Sequence, residues 1–183
     1  MSNLKVVDLD VAEGKVKELY QEVQRELGMV PNIFKVMANS PAVLEAYINM
    51  SGALSSGKLN PKLREHLALV TAETNGCKYC LAAHTAIGKS LGLSQEEVVD
   101  SRLGASVDPK VDAALKFAQA VLETRGAVSD DDFENVQSVG FSDGEIAELV
   151  ANVALHIFTN YFNRFAATPI DFPKVEPLEA VTA

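Results

Sequence analysis

The stretch NPKLREHLALVTAETNGCKYCLAAHTAIGKSL, residues 60–91, decides the fold of this chain. Asn60 followed by Pro61 is typical of a helix start, because the asparagine side chain can cap free N–H groups and proline fits the first helical position. Leucine and valine residues then recur at helical spacing and form an apolar face. Asn75 and Gly76 predict the end of this helix, since both residue types tolerate the left-handed backbone conformation.

A second helix is predicted from Cys77 to about Ser90, and it carries three chemically active side chains. Cys77, Cys80 and His84 stand at i, i+3 and i+7, within roughly 60° of one another on one helical face. If the two helices fold back as a hairpin, Glu65 lies about 14 Å from the turn and His84 about 10 Å. These heights match closely enough for the carboxylate to face the imidazole. The sequence therefore predicts one site with an acid, an imidazole and two thiols.

Such a set of side chains is suited to thiol chemistry. A thiolate is the reactive form of cysteine, and Cys77 at the helix start would be stabilised as a thiolate by the helix dipole. Cys80 could instead pass its proton to His84, four residues further on, while Glu65 orients the imidazole. The two cysteines could also close a disulfide with each other. The residues alone leave open which of the two cysteines attacks.

The spacing E-x11-C-x2-C-x3-H, with EHLALVTAETNGC before it and NYFNRFA near the end of the chain, resembles a known family. It is similar to the AhpD-like alkylhydroperoxidase core of the carboxymuconolactone decarboxylase-like superfamily, in its peroxidase-related branch. The resemblance implies an all-α fold and peroxide reduction through a CxxC disulfide. It implies that Glu65 and His84 form the proton relay, that Cys80 is the peroxidatic cysteine and that Cys77 resolves. Tyr79 stands where some AhpD proteins carry a histidine.

The resemblance also implies a substrate, a reductant and an oligomeric state. We expect a thiol-dependent (alkyl hydro)peroxidase or disulfide reductase that needs no cofactor and no metal. Its substrate would be a small-molecule peroxide, and an external dithiol or a thioredoxin- or lipoyl-type protein would reduce it. A homo-oligomer, from dimer to hexamer, is expected as in relatives of this family.

Three other interpretations compete with this one. A lactone decarboxylase-like enzyme occurs in the same superfamily, but that branch generally lacks the CxxC pair. Two cysteines, a histidine and a carboxylate are also a legitimate tetrahedral zinc set, which would make the chain a non-enzymatic structural module. Finally, the cysteines could be two small apolar residues of the core.

Composition limits the class of protein. The chain has 183 residues, 48% of them apolar, which is enough for one domain with a substantial core. The net charge of −9 argues against nucleic acid and anionic membranes as partners. No signal peptide and no apolar run of about 20 residues is recognisable, so we expect a cytoplasmic protein. In that reducing compartment a CxxC pair indicates a redox or metal site.

The rest of the chain shows no convincing period-two pattern and predicts an all-α single-domain bundle of about eight helices. We expect an AhpD-like domain over residues 1–183, with a core at about 10–167 and an extended tail at 168–183. The first helix is predicted to begin around Asp10, and Ser142 with Glu145 predicts a capping box at the start of the longest helix. The proline-containing tail is expected to wrap over the surface or to reach a neighbouring subunit.

Several polar and aromatic residues are expected to be structural. His66 points about 100° away from Glu65 on the same helix, and His156 receives no functional role. Asparagines on the last helix are expected to pair with backbone at a helix crossing rather than to line a pocket: Asn152, Asn160 and Asn163. Aromatic residues at helical spacing are expected to belong to the core rather than to a pocket wall: Phe34, Tyr47, Tyr79, Phe158 and Phe162.

Overall fold

The computed structural model describes residues 2–178, and within this range the chain is all-helical, with no strand. The predicted all-α class is confirmed, although nine α-helices form instead of about eight. The nine are Gly14–Leu27 (α1), Asn32–Met37 (α2), Pro41–Ser55 (α3), Pro61–Thr74 (α4), Lys78–Ser90 (α5), Gln95–Leu103 (α6), Pro109–Thr124 (α7), Asp130–Ser138 (α8) and Asp143–Ala166 (α9).

The centre of the bundle is α4, which packs against α5, α6, α7 and α9. Residues 67–70 of α4 are all completely buried, as expected of a helix surrounded by other helices. The helix begins as predicted, because the Asn60 side chain accepts a hydrogen bond from the Leu63 N–H at 2.9 Å. It ends at a turn in which Gly76 adopts the left-handed conformation, with a φ of 62°. The chain therefore reverses and continues as α5.

Two predicted helix starts differ from the structure. The second hairpin helix begins at Lys78 rather than at Cys77, because the sulfur of Cys77 acts as its N-cap. The first helix does not begin near Asp10, where only a short 3-10 turn, Leu9–Val11, forms. Ala12 follows this turn in an extended conformation and is buried, so the chain must straighten there before α1 begins. The predicted capping box of Ser142 and Glu145 is present at the start of α9.

The described part of the tail packs against the protein's own surface. Residues 168–178 form no helix. The Asp171 carboxylate accepts a hydrogen bond from the Asn32 N–H at 2.7 Å and so caps α2. Arg102 forms an ion pair with Glu73 at 2.7 Å and donates to the carbonyl of Glu176. Residues 179–183 of the predicted tail lie outside the described residues.

One glutamate of α9 fixes the segment that leads into the hairpin. The Glu148 carboxylate accepts hydrogen bonds from the backbone N–H groups of Lys58, at 2.8 and 3.0 Å, and of Leu59, at 3.1 Å. This loop precedes Asn60, the cap of α4, so the carboxylate links the start of the central helix to α9. None of the described helices is long and apolar enough to cross a membrane.

His66 has the structural role expected of it. It is buried, and its Nδ1 lies 2.6 Å from the hydroxyl oxygen of Ser101. Because that hydroxyl donates to the carbonyl of Glu97, His66 donates its Nδ1–H to the serine oxygen. Burial lowers the pKa of this imidazole, so the neutral ring is the form that the fold accommodates.

We predict that Glu148→Ala lowers the free energy of unfolding by about 1–2 kcal/mol, because the N–H groups of the loop lose a charged acceptor. Urea unfolding measures this change. Glu134→Ala, at an exposed position of α8, is the matched control and should stay within about 0.5 kcal/mol of the parent. Equal losses in the two variants would contradict the anchoring role of Glu148.

We predict that His66→Gln makes stability less sensitive to acid. Below about pH 6.5 the unfolded chain takes up a proton at His66 that the folded chain resists, so this residue decreases stability as the pH falls. Thermal unfolding at pH 7.5 and 5.5 should show a smaller loss of Tm in the variant than in the parent protein. An identical loss in both would show that His66 contributes nothing to the acid sensitivity.

Candidate active site

The structure brings Glu65 and His84 together across the α4–α5 hairpin. Nδ1 of His84 lies 2.8 Å from Oε2 of Glu65, and both side chains are mostly buried. The similar distances of Glu65 and His84 from the turn, estimated from the sequence, thus correspond to a direct hydrogen bond in the structure. With Nδ1 engaged by the carboxylate, the imidazole has Nε2 left for proton exchange, and the carboxylate stabilises the ring when it is protonated.

The two cysteines lie at the start of α5 and form a disulfide, with their Cα atoms 5.3 Å apart. They are only 1% and 2% exposed, respectively. The sulfur of Cys77 accepts the backbone N–H of Cys80 at 3.3 Å, whereas Cys80 borders a cavity that Cys77 does not line. Of the two cysteines, Cys80 is therefore the one that lines this cavity.

That cavity has a volume of about 370 Å³ and lies between the hairpin, α3 and α9. Glu65, Cys80 and His84 all border it, so the acid, the imidazole and one sulfur share a single space. Its apolar and aromatic walls include Met29, Ile33, Phe34, Tyr47, Leu54, Tyr79, Ala83, Ile87, Leu155 and Phe172. The site is thus a small polar cluster at one side of a largely apolar pocket.

A third histidine, His156 of α9, lies at this site although the sequence analysis gave it no role. Its ring centroid is 4.9 Å from that of His84, and the two rings meet edge to face. Burial lowers the pKa of His156 well below its usual value, and the neighbouring His84 lowers it further. His156 is therefore a neutral imidazole that packs against the ring of His84.

The sequence does contain a pattern that places His156 at a polar site, but its residues are spread along α9. Four polar residues of this helix line the cavity at intervals of three and four: Asn152, His156, Thr159 and Asn163. A polar stripe within an otherwise apolar helix marks a face that needs polar neighbours. The expectation that the asparagines pair with backbone at a helix crossing is wrong for Asn163, which donates to the sulfur of Cys80 at 3.4 Å, and for Asn160, which accepts from the Asn75 side chain. It is also wrong for Asn152, which lines the cavity and donates to the carbonyl of Glu148 within α9 itself.

The aromatic residues divide among the pocket, the core and the surface. Phe34, Tyr47 and Tyr79 line the cavity, contrary to expectation. Phe162 packs against the core as expected, whereas Phe158 is exposed, contrary to expectation. Burial, with a smaller contribution from Glu65, raises the pKa of Tyr47 to about 12. Burial also raises the pKa of Tyr79, whose hydroxyl oxygen accepts the Ile33 N–H at 3.2 Å. Both phenols therefore stay protonated at neutral pH.

Residues 2–178 contain no group of three or more histidine, cysteine, aspartate or glutamate side chains placed to hold a metal ion. Among the four residues of the zinc interpretation, the two sulfurs are bonded to each other and the carboxylate is hydrogen-bonded to the imidazole. The described residues thus present a disulfide and a carboxylate–imidazole pair.

Comparisons with known proteins agree with this geometry. The carboxymuconolactone decarboxylase family matches residues 41–123, a segment that includes Glu65, both cysteines and His84. No curated protein matches the chain significantly in sequence.

Solved structures extend the likeness to the whole fold. A peroxidase-related protein with an alkylhydroperoxidase AhpD core, from Ralstonia eutropha JMP134, is 28% identical, with a TM-score of 0.82 over 93% of this chain and 92% of that one. A peroxidase-related protein from Silicibacter sp. TM1040 is 27% identical, with a TM-score of 0.78 over 92% and 94%. The debrominase Bmp8, in complex with 2,3,4-tribromopyrrole, is 18% identical and shares the fold, with a TM-score of 0.76 over 93% and 94%. The chain therefore resembles the AhpD-like proteins of the carboxymuconolactone decarboxylase superfamily in sequence over residues 41–123 and in overall fold.

Proposed function

We propose that this protein is a thiol-dependent alkyl hydroperoxidase that works through the Cys77–Cys80 pair and a Glu65–His84 proton relay. The observation that carries the proposal is the cavity that Cys80 lines together with the hydrogen-bonded carboxylate of Glu65 and imidazole of His84. The two relatives described as peroxidase-related support the same class of reaction.

The first step begins with the reduced pair. His84 accepts the thiol proton of Cys80, and the Glu65 carboxylate stabilises the resulting imidazolium. The thiolate attacks the terminal oxygen of the hydroperoxide, so that a sulfur–oxygen bond forms as the oxygen–oxygen bond breaks. The departing alkoxide takes the proton back from His84 and leaves as an alcohol, while Cys80 becomes a sulfenic acid.

The second step closes the disulfide. The Cys77 sulfur attacks the sulfenic sulfur of Cys80, and the hydroxyl group leaves as water with the Cys77 proton. An external dithiol then supplies two electrons and two protons. Because the sulfurs are 1% and 2% exposed, their burial favours a slender dithiol, of the lipoyl type, that can reach Cys80 through the cavity.

The cavity also favours one class of peroxide. A volume of about 370 Å³ with mainly apolar walls gives hydrogen peroxide few contacts, whereas an alkyl or aryl group would replace water against apolar side chains. We therefore propose organic hydroperoxides as the substrates.

The cytoplasmic location and the homo-oligomer stay predictions. The homo-oligomer is supported by large apolar side chains that are exposed on one face of α9: Val150, Phe158, Tyr161 and Phe165.

The lactone decarboxylase-like activity that the family's description suggests is the alternative. It would need the Glu65–His84 pair as an acid–base catalyst but neither cysteine. Variants of the cysteines therefore distinguish it from the proposed peroxidase.

We predict that the reduced protein loses two thiols per chain when it receives one equivalent of cumene hydroperoxide, and that one equivalent of the alcohol forms. A thiol titration and chromatography of the products measure this, and the chain should remain free of intermolecular disulfides. Cys77→Ser should retain a sulfenic acid on Cys80 that dimedone labels, while Cys80→Ser should consume no peroxide. Labelling of Cys77 in Cys80→Ser would reverse the two roles, and unreacted thiols in the parent protein would refute the proposal.

We predict that His84→Gln lowers kcat/KM for cumene hydroperoxide by about 100-fold or more, because the base that activates Cys80 is lost. Glu65→Gln should cause a smaller loss, since the imidazole stays in place but its charged form is less stable. Steady-state rates at pH 7.5 with a dithiol reductant measure both changes. His66→Gln is the matched control, because His66 faces Ser101 and not the cavity. Unchanged rates in His84→Gln would exclude the relay.

A further inference from the structure

The amide of Asn163 is the feature of the site that the proposed reaction leaves unused. Asn163 lies on α9 and is 3% exposed, and its Nδ2 is 3.4 Å from the sulfur of Cys80. Its Oδ1 is buried without a hydrogen-bond partner among the described residues. The contact with sulfur is therefore the hydrogen bond that this side chain makes.

An amide donor affects the two forms of a cysteine differently. A neutral thiol is a weak acceptor, whereas a thiolate accepts strongly because it carries a full charge. A donor held against the sulfur by a packed helix therefore stabilises the thiolate over the thiol. In a dry site this preference is stronger than in water, because no solvent competes for the charge.

The two cysteines receive different donors. The sulfur of Cys77 accepts the backbone N–H of Cys80, in the position of an N-cap, and lies away from the cavity. Cys80 is the third residue of α5, three positions after the N-cap, so the free N–H groups of the helix start act on its sulfur less directly than on that of Cys77. A side chain from α9 supplies the donor that the helix itself does not provide at this position.

We propose that Asn163 selects Cys80 as the attacking cysteine by donating an amide hydrogen bond to its thiolate. This inference rests on the proposed function, because it concerns which cysteine attacks the peroxide. The stabilisation of the thiolate can nevertheless be measured without any peroxide. The ionisable side chains that share the cavity with Cys80 are Tyr47, Arg64, Glu65, Tyr79, His84 and His156. They stay unchanged in the variants below, so that only the amide differs.

The neighbouring Asn160 provides a matched control. It lies on the same helix, is completely buried, and also has one amide atom bonded and one without a partner among the described residues. Its bonded atom, however, accepts from the Asn75 side chain and touches neither sulfur. Replacing either asparagine should therefore perturb the fold to a similar extent, but only Asn163 should affect Cys80.

The experiment measures the rate of iodoacetamide alkylation against pH in Cys77→Ser protein, where Cys80 is the only cysteine. Asn163→Leu, which keeps the branched shape of the side chain but removes the donor, should raise the midpoint of the pH profile by about one to two units. Asn163→Asp should raise it as well, because a carboxylate repels the thiolate. Asn160→Leu should leave it unchanged. In Cys80→Ser protein, Asn163→Leu should leave the Cys77 midpoint unchanged.

An unchanged Cys80 midpoint in the Asn163 variants, with native far-UV circular dichroism, would overturn the proposal. An equal rise in Asn160→Leu would overturn it too, since it would indicate a general loosening of α9. If Asn163→Leu does not fold, Asn163→Asp decides between the outcomes. A failed thiol titration with hydroperoxide would count against the proposed function alone, because the alkylation assay contains no peroxide.

Discussion

The hydrogen bond between Glu65 and His84 depends on the register of the α4–α5 hairpin, and the rest of the site depends on that same register. The turn at Asn75 and Gly76 sets how far each residue lies from the fold-back point. Gly88 leaves room for the leucine that follows α5, because a Cβ there would lie 3.0 Å from the side chain of Leu93. A shift by one residue would rotate the carboxylate by about 100° and break the pair.

The last helix completes the site because it is fixed to the turn of this hairpin. Arg164 donates to the carbonyl of Asn75 at 2.7 Å, and Asn160 accepts from the same residue's side chain. Together with the packing of α9 against α3, α4, α5 and α7, these contacts place the polar stripe of α9 towards the cavity. The positions of His156 and Asn163 therefore depend on the packing of the whole helix.

Sequence reasoning succeeded where the structure depends on neighbouring residues. The hairpin, the Asn60 cap and the pairing of Glu65 with His84 follow from caps and helical spacing over about 30 residues. The predicted start of α5, at Cys77, is one residue too early, because a cysteine sulfur is not among the usual N-cap groups. His156 and Asn163 lie 76 to 86 residues from the cysteines, and their placement depends on how α9 packs. A polar stripe predicts that one face of a helix needs polar partners, but it does not identify which residues those partners are.

Access and electrostatics favour different cysteines when only the helix is considered, and the packing of α9 reconciles them. The helix start stabilises a negative charge on Cys77, yet that sulfur does not line the cavity. Cys80 borders the cavity but lies beyond the strongest part of the dipole field. Because attack on a peroxide requires contact, access limits the choice first, and a thiolate at the accessible position then needs its own stabilisation. The imidazole of His84 and the amide of Asn163 are the groups that offer it, one from the same helix and one from across the bundle.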